Sequence, residues 1–252
     1  MIRAGFIKAF LTAFMLVVII ADASFAGILD DKDFGLLAMK ASEDAVGRKA
    51  GDYALFDEDG KPFMFSALLG APLVVSFVYT SCGHSCPLVV SHLSKALNSA
   101  GNDFGVKFRA LTVGIDPKDD TPEKMKALGK KLSADSGKWR FAVGAPASVE
   151  RLARDMGFFY RKRGDDYDHL NMVTLLSGEG TVLKQVYGSD LKAEDILPYI
   201  SGGGALTALS VKGRVSAVIE RIKLLCYTYD EKTGTYKPDY TFIVMMVFGA
   251  VI

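Results

Sequence analysis

Apolar runs and amphipathic stretches alternate along most of this 252-residue chain. "YALFDEDGKPFMF" (53–65) carries two short strand-like runs around Asp59-Gly60 and predicts a hairpin. "PLVVSFVY" (72–79) is continuous, apolar and β-branched, the mark of a strand covered on both faces. From Pro87 onward, Leu88, Val89, Leu93, Ala96 and Leu97 recur with helical spacing. "VKFRALTVGI" (106–115) predicts a second buried strand. Thr121 and Pro122 then mark a helix start, threonine as cap and proline in the first turn. "WRFAVG" (139–144) reads as a strand and "PASVERLARDMG" (146–157) as a helix ended by Gly157. "FFYRK" predicts another strand, "NMVTLLSGEGTVLKQVYG" (171–188) a final hairpin, and 192–200 a last helix before "SGGG".

Strands alternating with helices over about 45–200 predict an α/β domain, a layered sandwich with a mixed sheet. Residues 27–44 read as a linker before it. Beyond it, 201–240 read as a linker plus a helical extension: an amphipathic helix in "ALTALSVKGRVSAVIERIKLLCY", then a turn in "YDEKTGTY".

Both ends are apolar. Arg3 and Lys8 precede an apolar stretch from Ala9 to Ile20, and small residues suited to cleavage follow at Ala23 and Ala26. That is the layout of a secretory signal over 1–26, with an uncleaved anchor as the alternative; Asp22 ends the run early for a membrane span. Either way the remainder is expected to be exported, the positive residues staying inside. As a helix, "TFIVMMVFGAVI" (241–252) would reach about 18 Å against roughly 30 Å of hydrocarbon. It is read as a shallow anchor, a packed terminal helix or part of a spanning helix, and membrane attachment is expected. The formal net charge is +1, with no basic stripe or acidic block, so charge makes no case for nucleic acid.

The chemistry concentrates in "FVYTSCGHSCPLVV" (77–90), which holds two of the three cysteines. A buried strand, Cys-x-x-x-Cys and then a helix bring both sulfurs to the place where a sheet's C-terminal edge meets a helix N-terminus. Open α/β sheets favour ligands at that edge. The helix end favours thiolate, so lowered thiol pKa values are expected at Cys82 and Cys86. An exported chain also permits a disulfide, but so short a loop gains little from closure. A metal clamp and a redox pair remain open.

"TSCGHSCP", "GIDPKDDTPEKMKAL", "KWRFAVG" and "DYDHLNMVTLLSGEG" together resemble the SCO/SenC family in residue type, order and spacing over about 45–200. The resemblance implies a thioredoxin-like fold and one bound copper, Cu(I) or Cu(II). It also implies a role in assembling the binuclear copper site of cytochrome c oxidase subunit II, or of a related copper protein, at the periplasmic face of an inner membrane or its equivalent. Carried over by position, the ligands fall on Cys82, Cys86 and His169. "IERIKLLCYTYDEKTGTY" resembles an extension that precedes a C-terminal membrane helix in some members. Gly83 and Leu170 depart from the common pattern without removing a ligand.

The residues point the same way. Thioredoxins hold a cis-proline against their cysteines, just before the facing strand, and here no proline lies between 147 and 197. His169 stands there instead. Two thiolates and an imidazole make a soft, three-coordinate site suited to Cu(I), able to take Cu(II) with an added ligand. Zinc would want a fourth ligand, for which His84 is the candidate inside the tight turn. His92 reads as a surface or half-buried helix residue. Asp116 and Asp168 are read either as turn-formers or as site-ordering groups, Asp168 orienting the His169 ring. Met156 and Met172 are soft donors by type and core residues by context, and Cys226 is read as a packed thiol.

Two functions are carried forward. In a metallochaperone, the low coordination number lets a partner's ligand add before one is released. In a thiol–disulfide oxidoreductase, Cys82 attacks and Cys86 resolves. A peroxidase is the weaker third reading, because Val75 and Tyr79 occupy positions where peroxiredoxins use proline and threonine.

Overall fold

The β-branched run at 72–79 leaves a strand no face to show to water, and it lies inside the sheet. The computed structural model describes residues 34–82, 86–200, 227–230 and 235–238. Helix α1 covers 34–44. Strands β1 (Ala54–Asp57) and β2 (Pro62–Met64) form the predicted hairpin. Next come β3 (Leu73–Val78), α2 (Cys86–Asn98), β4 (Arg109–Gly114), α3 (Pro122–Lys131), β5 (Trp139–Val143) and α4 (Pro146–Asp155). Strands β6 (Tyr160–Arg163), β7 (Asp166–His169), β8 (Met172–Leu176) and β9 (Val182–Tyr187) precede α5 (Ala193–Ile200).

Seven strands make one sheet in the order β2-β1-β5-β4-β3-β8-β9. Strands β3, β4 and β5 run parallel, while β1, β8 and β9 pair antiparallel with their neighbours. This is the mixed-sheet, layered α/β sandwich expected from the alternation. Every residue of β3 and β8 is buried. The crossovers β3–α2–β4 and β4–α3–β5 step the same way across the sheet. Their common right hand puts α2 and α3 on one face, where α3 packs on β5 and α5 meets α2. Thr121 caps α3 as predicted, its hydroxyl accepting from the Lys124 N–H at 3.3 Å.

Three elements differ from the sequence expectation. Residues 34–44, read within a linker, are helical. Phe34, Ala38, Ser42 and Ala45 are buried at helical spacing, but two alanines and a serine make a faint apolar stripe. Gly157 shows what that helix packs against: at φ +71° after α4, an added Cβ would meet the Ala45 Cβ at 2.6 Å and the Ala41 carbonyl oxygen at 2.7 Å. The second difference is β7, which pairs with β6 as a separate hairpin where a loop was expected. The third is the predicted turn in 227–238. It is flanked by two paired strands, β10 (Tyr227–Asp230) and β11 (Thr235–Pro238), foreshadowed by alternating Tyr and Thr. The signal, the amphipathic helix, Cys226 and the apolar tail lie outside the described residues. Among the described residues no helix is long and apolar enough to cross a membrane.

Buried polar groups inside the sheet are paired. The Trp139 indole N–H donates to the Thr112 hydroxyl at 2.8 Å, and that hydroxyl lies 2.8 Å from Ser76 Oγ. Thr112→Val keeps the shape but leaves the indole N–H without its acceptor and removes the Ser76 partner. Unsatisfied buried groups cost about 1–3 kcal/mol each, so denaturant unfolding should show a loss of roughly that size.

Candidate metal centre

The chain leaves the sheet at Val78 and turns within four residues. The Cys82 N–H donates to the Tyr79 carbonyl at 3.1 Å, and α2 starts at Cys86 with Pro87 in its first turn, where no N–H is needed. This turn is clamped from the β4–α3 loop. Buried Asp120 accepts from the Thr80 N–H and hydroxyl, both at 2.7 Å, and from the Asp116 N–H at 2.8 Å. Burial pushes its carboxyl above the ordinary range, against the pull of the Thr80 and Asp116 hydrogen bonds. Sequence reading passed over Asp120. The only signal was a second aspartate four residues after Asp116, at a strand end.

Cys82 and Cys86 are both buried free thiols. The Cys86 N–H donates to Cys82 Sγ at 3.5 Å. The expectation of a lowered pKa is corrected at Cys86, whose thiol is held well above the ordinary cysteine range by the neighbouring Cys82 sulfur and by burial. The helix end does not outweigh those two effects. Tyr79, also buried, hydrogen-bonds to Cys82, and burial followed by that contact raises its hydroxyl pKa strongly.

His169 ends β7, opposite Tyr160. Its Nδ1 lies 3.0 Å from the Leu170 carbonyl oxygen, and a carbonyl can only accept, so Nδ1 carries the proton. The lone pair is therefore on Nε2, which lies 3.8 Å from Cys86 Sγ. Bonds of about 2.3 Å to sulfur and about 2.0 Å to imidazole, as in zinc sites, separate the two donors by roughly 3.7 Å at an angle of about 120°. The 3.8 Å separation fits one edge of a soft metal site. Among the described residues no three His, Cys, Asp or Glu side chains converge on a single point. Cys82 stands beside Cys86, engaged by Tyr79.

Aromatic packing holds the imidazole. Its centroid is 5.5 Å from Phe158 and 6.0 Å from Tyr79, the latter edge-on at 87°. Phe158 in turn stacks on Phe77 of β3 at 4.7 Å. Tyr167 shares the inward face of β7 with His169, two residues away. Burial and the Asp116 carboxylate push its hydroxyl up to about 12. The Asp116 carboxylate itself accepts from the Lys118 N–H at 2.9 Å, the contact of a turn-former. Asp168 does not orient the ring: adjacent strand residues face opposite ways, and its carboxylate takes Arg161 at 2.9 Å.

The other candidates separate by burial. Met156 lies in the core. Met172 is also buried but lines the small space beside His169 and Cys86. His92 is half-buried and binds the Ser189 carbonyl at 2.7 Å, a structural contact. His84 lies outside the described residues.

Burial holds the His169 pKa below its ordinary value of 6.5, leading over the hydrogen bond to Leu170 and the nearby Cys82 and Asp168, which oppose it. The unfolded chain takes this proton near 6.5 and the folded one resists. The stabilisation is thus complete above that pH and is lost as pH falls through the lowered value. Copper-free His169→Gln should lose less stability than wild type between pH 7.5 and 5, as read by denaturant midpoints.

The SCO1/SenC family model matches residues 41–201. The chain is 26% identical over 159 residues to an SCO2-like protein of Rickettsia felis, covering 60% of this chain and 75% of that one. It is 26% identical over 155 residues to the mitochondrial protein SCO1 homolog 1 of Arabidopsis thaliana, covering 60% of this chain and 44% of that one. The structure of Bradyrhizobium japonicum ScoI with copper bound superposes with a TM-score of 0.50 at 25% identity, over 58% of this chain and 94% of that one. With the thioredoxin-like sandwich and the cysteine pair facing a hairpin histidine already in place, the match settles the lineage: this chain belongs to the SCO1/SenC family.

Proposed function

We propose that the chain is a copper-binding metallochaperone, using Cys82, Cys86 and His169 to carry one copper to the binuclear copper site of cytochrome c oxidase subunit II or a related copper protein. The observation that carries this reading is the placement of His169 Nε2 3.8 Å from Cys86 Sγ, with Nδ1 turned to the Leu170 carbonyl and the Cys82 thiol alongside. Thiolate and imidazole donors suit copper over harder ions. Binding displaces the thiol protons, which is why a raised Cys86 pKa is no obstacle to the loaded form. The copper held by the related ScoI of B. japonicum supports the choice of metal. Three protein donors leave room for a partner's sulfur to join before one is released. The signal-like N-terminus and apolar tail support work at the outer face of a membrane. Metal analysis with absorption and electron paramagnetic resonance spectroscopy of the purified chain tests this; the expected result is one copper per chain with sulfur-to-copper charge-transfer bands in the Cu(II) form.

A second role is compatible with the free-thiol pair. In it, Cys82 attacks a partner's disulfide, forming a mixed disulfide and releasing one partner thiol. Cys86 then displaces the second, leaving a Cys82–Cys86 disulfide and a reduced partner. Trapping a mixed disulfide with Cys86→Ala, undiminished by loss of His169, is the outcome that supports it.

A further inference from the structure

The two sides of the cysteine pair are unlike. On the hairpin side, where His169 meets Cys86, the space bounded by Phe77, Val89 and Met172 amounts to about 10 Å³, hardly room for a water. On the other side a groove of about 410 Å³ opens between α2 and α3 and touches both Cys82 and Cys86 without touching His169. Of these two spaces among the described residues, the one on the α2–α3 side has room for an incoming sulfur.

That groove has a chemistry of its own. Val78, Val90, Pro87, Ala127 and Leu128 give it apolar walls, while Lys124 and Lys131, one turn to either side of Leu128, stand exposed at its rim. Among the described residues, the Lys124 ammonium pairs with Asp119, at 3.6 Å. Helix α3 carries Lys124, Lys126, Lys130 and Lys131 against the single acid Glu123.

We infer that the α2–α3 groove is the docking site for an acidic, partly apolar peptide segment of the copper recipient, which delivers its cysteine to Cys82 and Cys86 from the side opposite His169. This rests on the metallochaperone reading and adds the recipient's approach and recognition chemistry. Apolar side chains of the segment lie on Val90 and Leu128, and its carboxylates face Lys124 and Lys131. The imidazole stays on the closed side throughout, so the exchange runs through the sulfurs.

The test uses the full chain in detergent, copper-free and reduced. The probes are two short fluorescent peptides, alternating leucine and glutamate around a serine in the cysteine's place, or leucine and lysine. Anisotropy should show binding of the acidic peptide and not of the basic one. Reversal of both rim lysines (Lys124→Glu with Lys131→Glu) should weaken it about tenfold at low salt, with the gap closing as salt rises. Arg163→Glu, on the far hairpin, should leave binding unchanged. A photo-reactive benzoylphenylalanine replacing Ala127 should crosslink to the peptide. Equal affinity after charge reversal overturns the proposal, as does crosslinking only to a second copy or to residues 201–252 of the same chain. Copper content, measured in parallel, separates the two readings. A wild type that holds no copper refutes the metallochaperone whatever the peptide does, while retained copper with charge-indifferent peptide binding refutes the groove alone.

Discussion

Cys82→Ala and Cys86→Ala are expected to abolish copper retention, and His169→Ala to weaken it by more than about 100-fold. Loss of a group that only supports a ligand costs about 10–100-fold, so loss of a ligand itself should exceed that range. The three variants are not equivalent physically. Removing either sulfur leaves one thiolate and one imidazole, too few to hold Cu(I) against competing thiols. Removing the imidazole leaves the dithiol intact but open on the hairpin side, where the ring now fills the space among Phe77, Phe158 and Tyr79. Asp168→Asn is the control, because that carboxylate binds Arg161 and not the imidazole; it should retain copper within a few-fold of wild type. Competition with a Cu(I) chelator on purified protein reads all four. Retention of full affinity by His169→Ala would remove the histidine from the site and reduce it to a dithiol.

Asp120→Ala should cost about 3 kcal/mol of stability and weaken copper binding in whatever fraction folds. Its carboxylate accepts three hydrogen bonds, from the Thr80 N–H, the Thr80 hydroxyl and the Asp116 N–H. Hydrogen bonds to charged groups are worth about 1.5–3 kcal/mol each, and water entering the vacated space recovers part of the loss. The cut also frees the turn that carries Cys82 from the loop that ends β4, so the second effect falls on the proposed metal site. Asp120→Asn keeps the shape but sets an amide against one of those donors, and should fall between the two. Denaturant midpoints and the chelator competition, run on the same three proteins, separate the stability effect from the site effect. Unchanged copper affinity in folded Asp120→Ala would mean that the turn holds its geometry without the clamp.

The cysteine pair was legible early because its placement is local. A β-branched run, four residues of turn and a helical period are all read from neighbours in the chain, and they bring Cys82 and Cys86 to a sheet edge whatever else the protein does. His169 was legible only as a position, through family resemblance and the absence of a proline ahead of β8. Its setting on a strand was not. β7 has one buried residue, Tyr167, and exposed or half-buried neighbours, so its alternation is too weak to announce itself until β6 pairs with it. Helix α1 escaped for a similar reason: its buried stripe is built largely from alanine and serine. Asp168 misled because proximity in sequence suggested contact, whereas the pleat turns neighbouring residues apart.

By itself the sequence determined the order of strands and helices from β1 to α5 apart from β7, the buried central strand, and the cysteine pair at its end, since each depends on periodicity or on contacts a few residues apart. Only the tertiary structure decided that Nε2 rather than Nδ1 faces Cys86, that Asp120 clamps the cysteine turn, and that one side of the pair is closed while the other opens between α2 and α3. Those facts join residues far apart in the chain, 40 positions for Thr80 and Asp120 and 83 for Cys86 and His169, and such meetings are set by how layers pack against the sheet, a property no local pattern encodes.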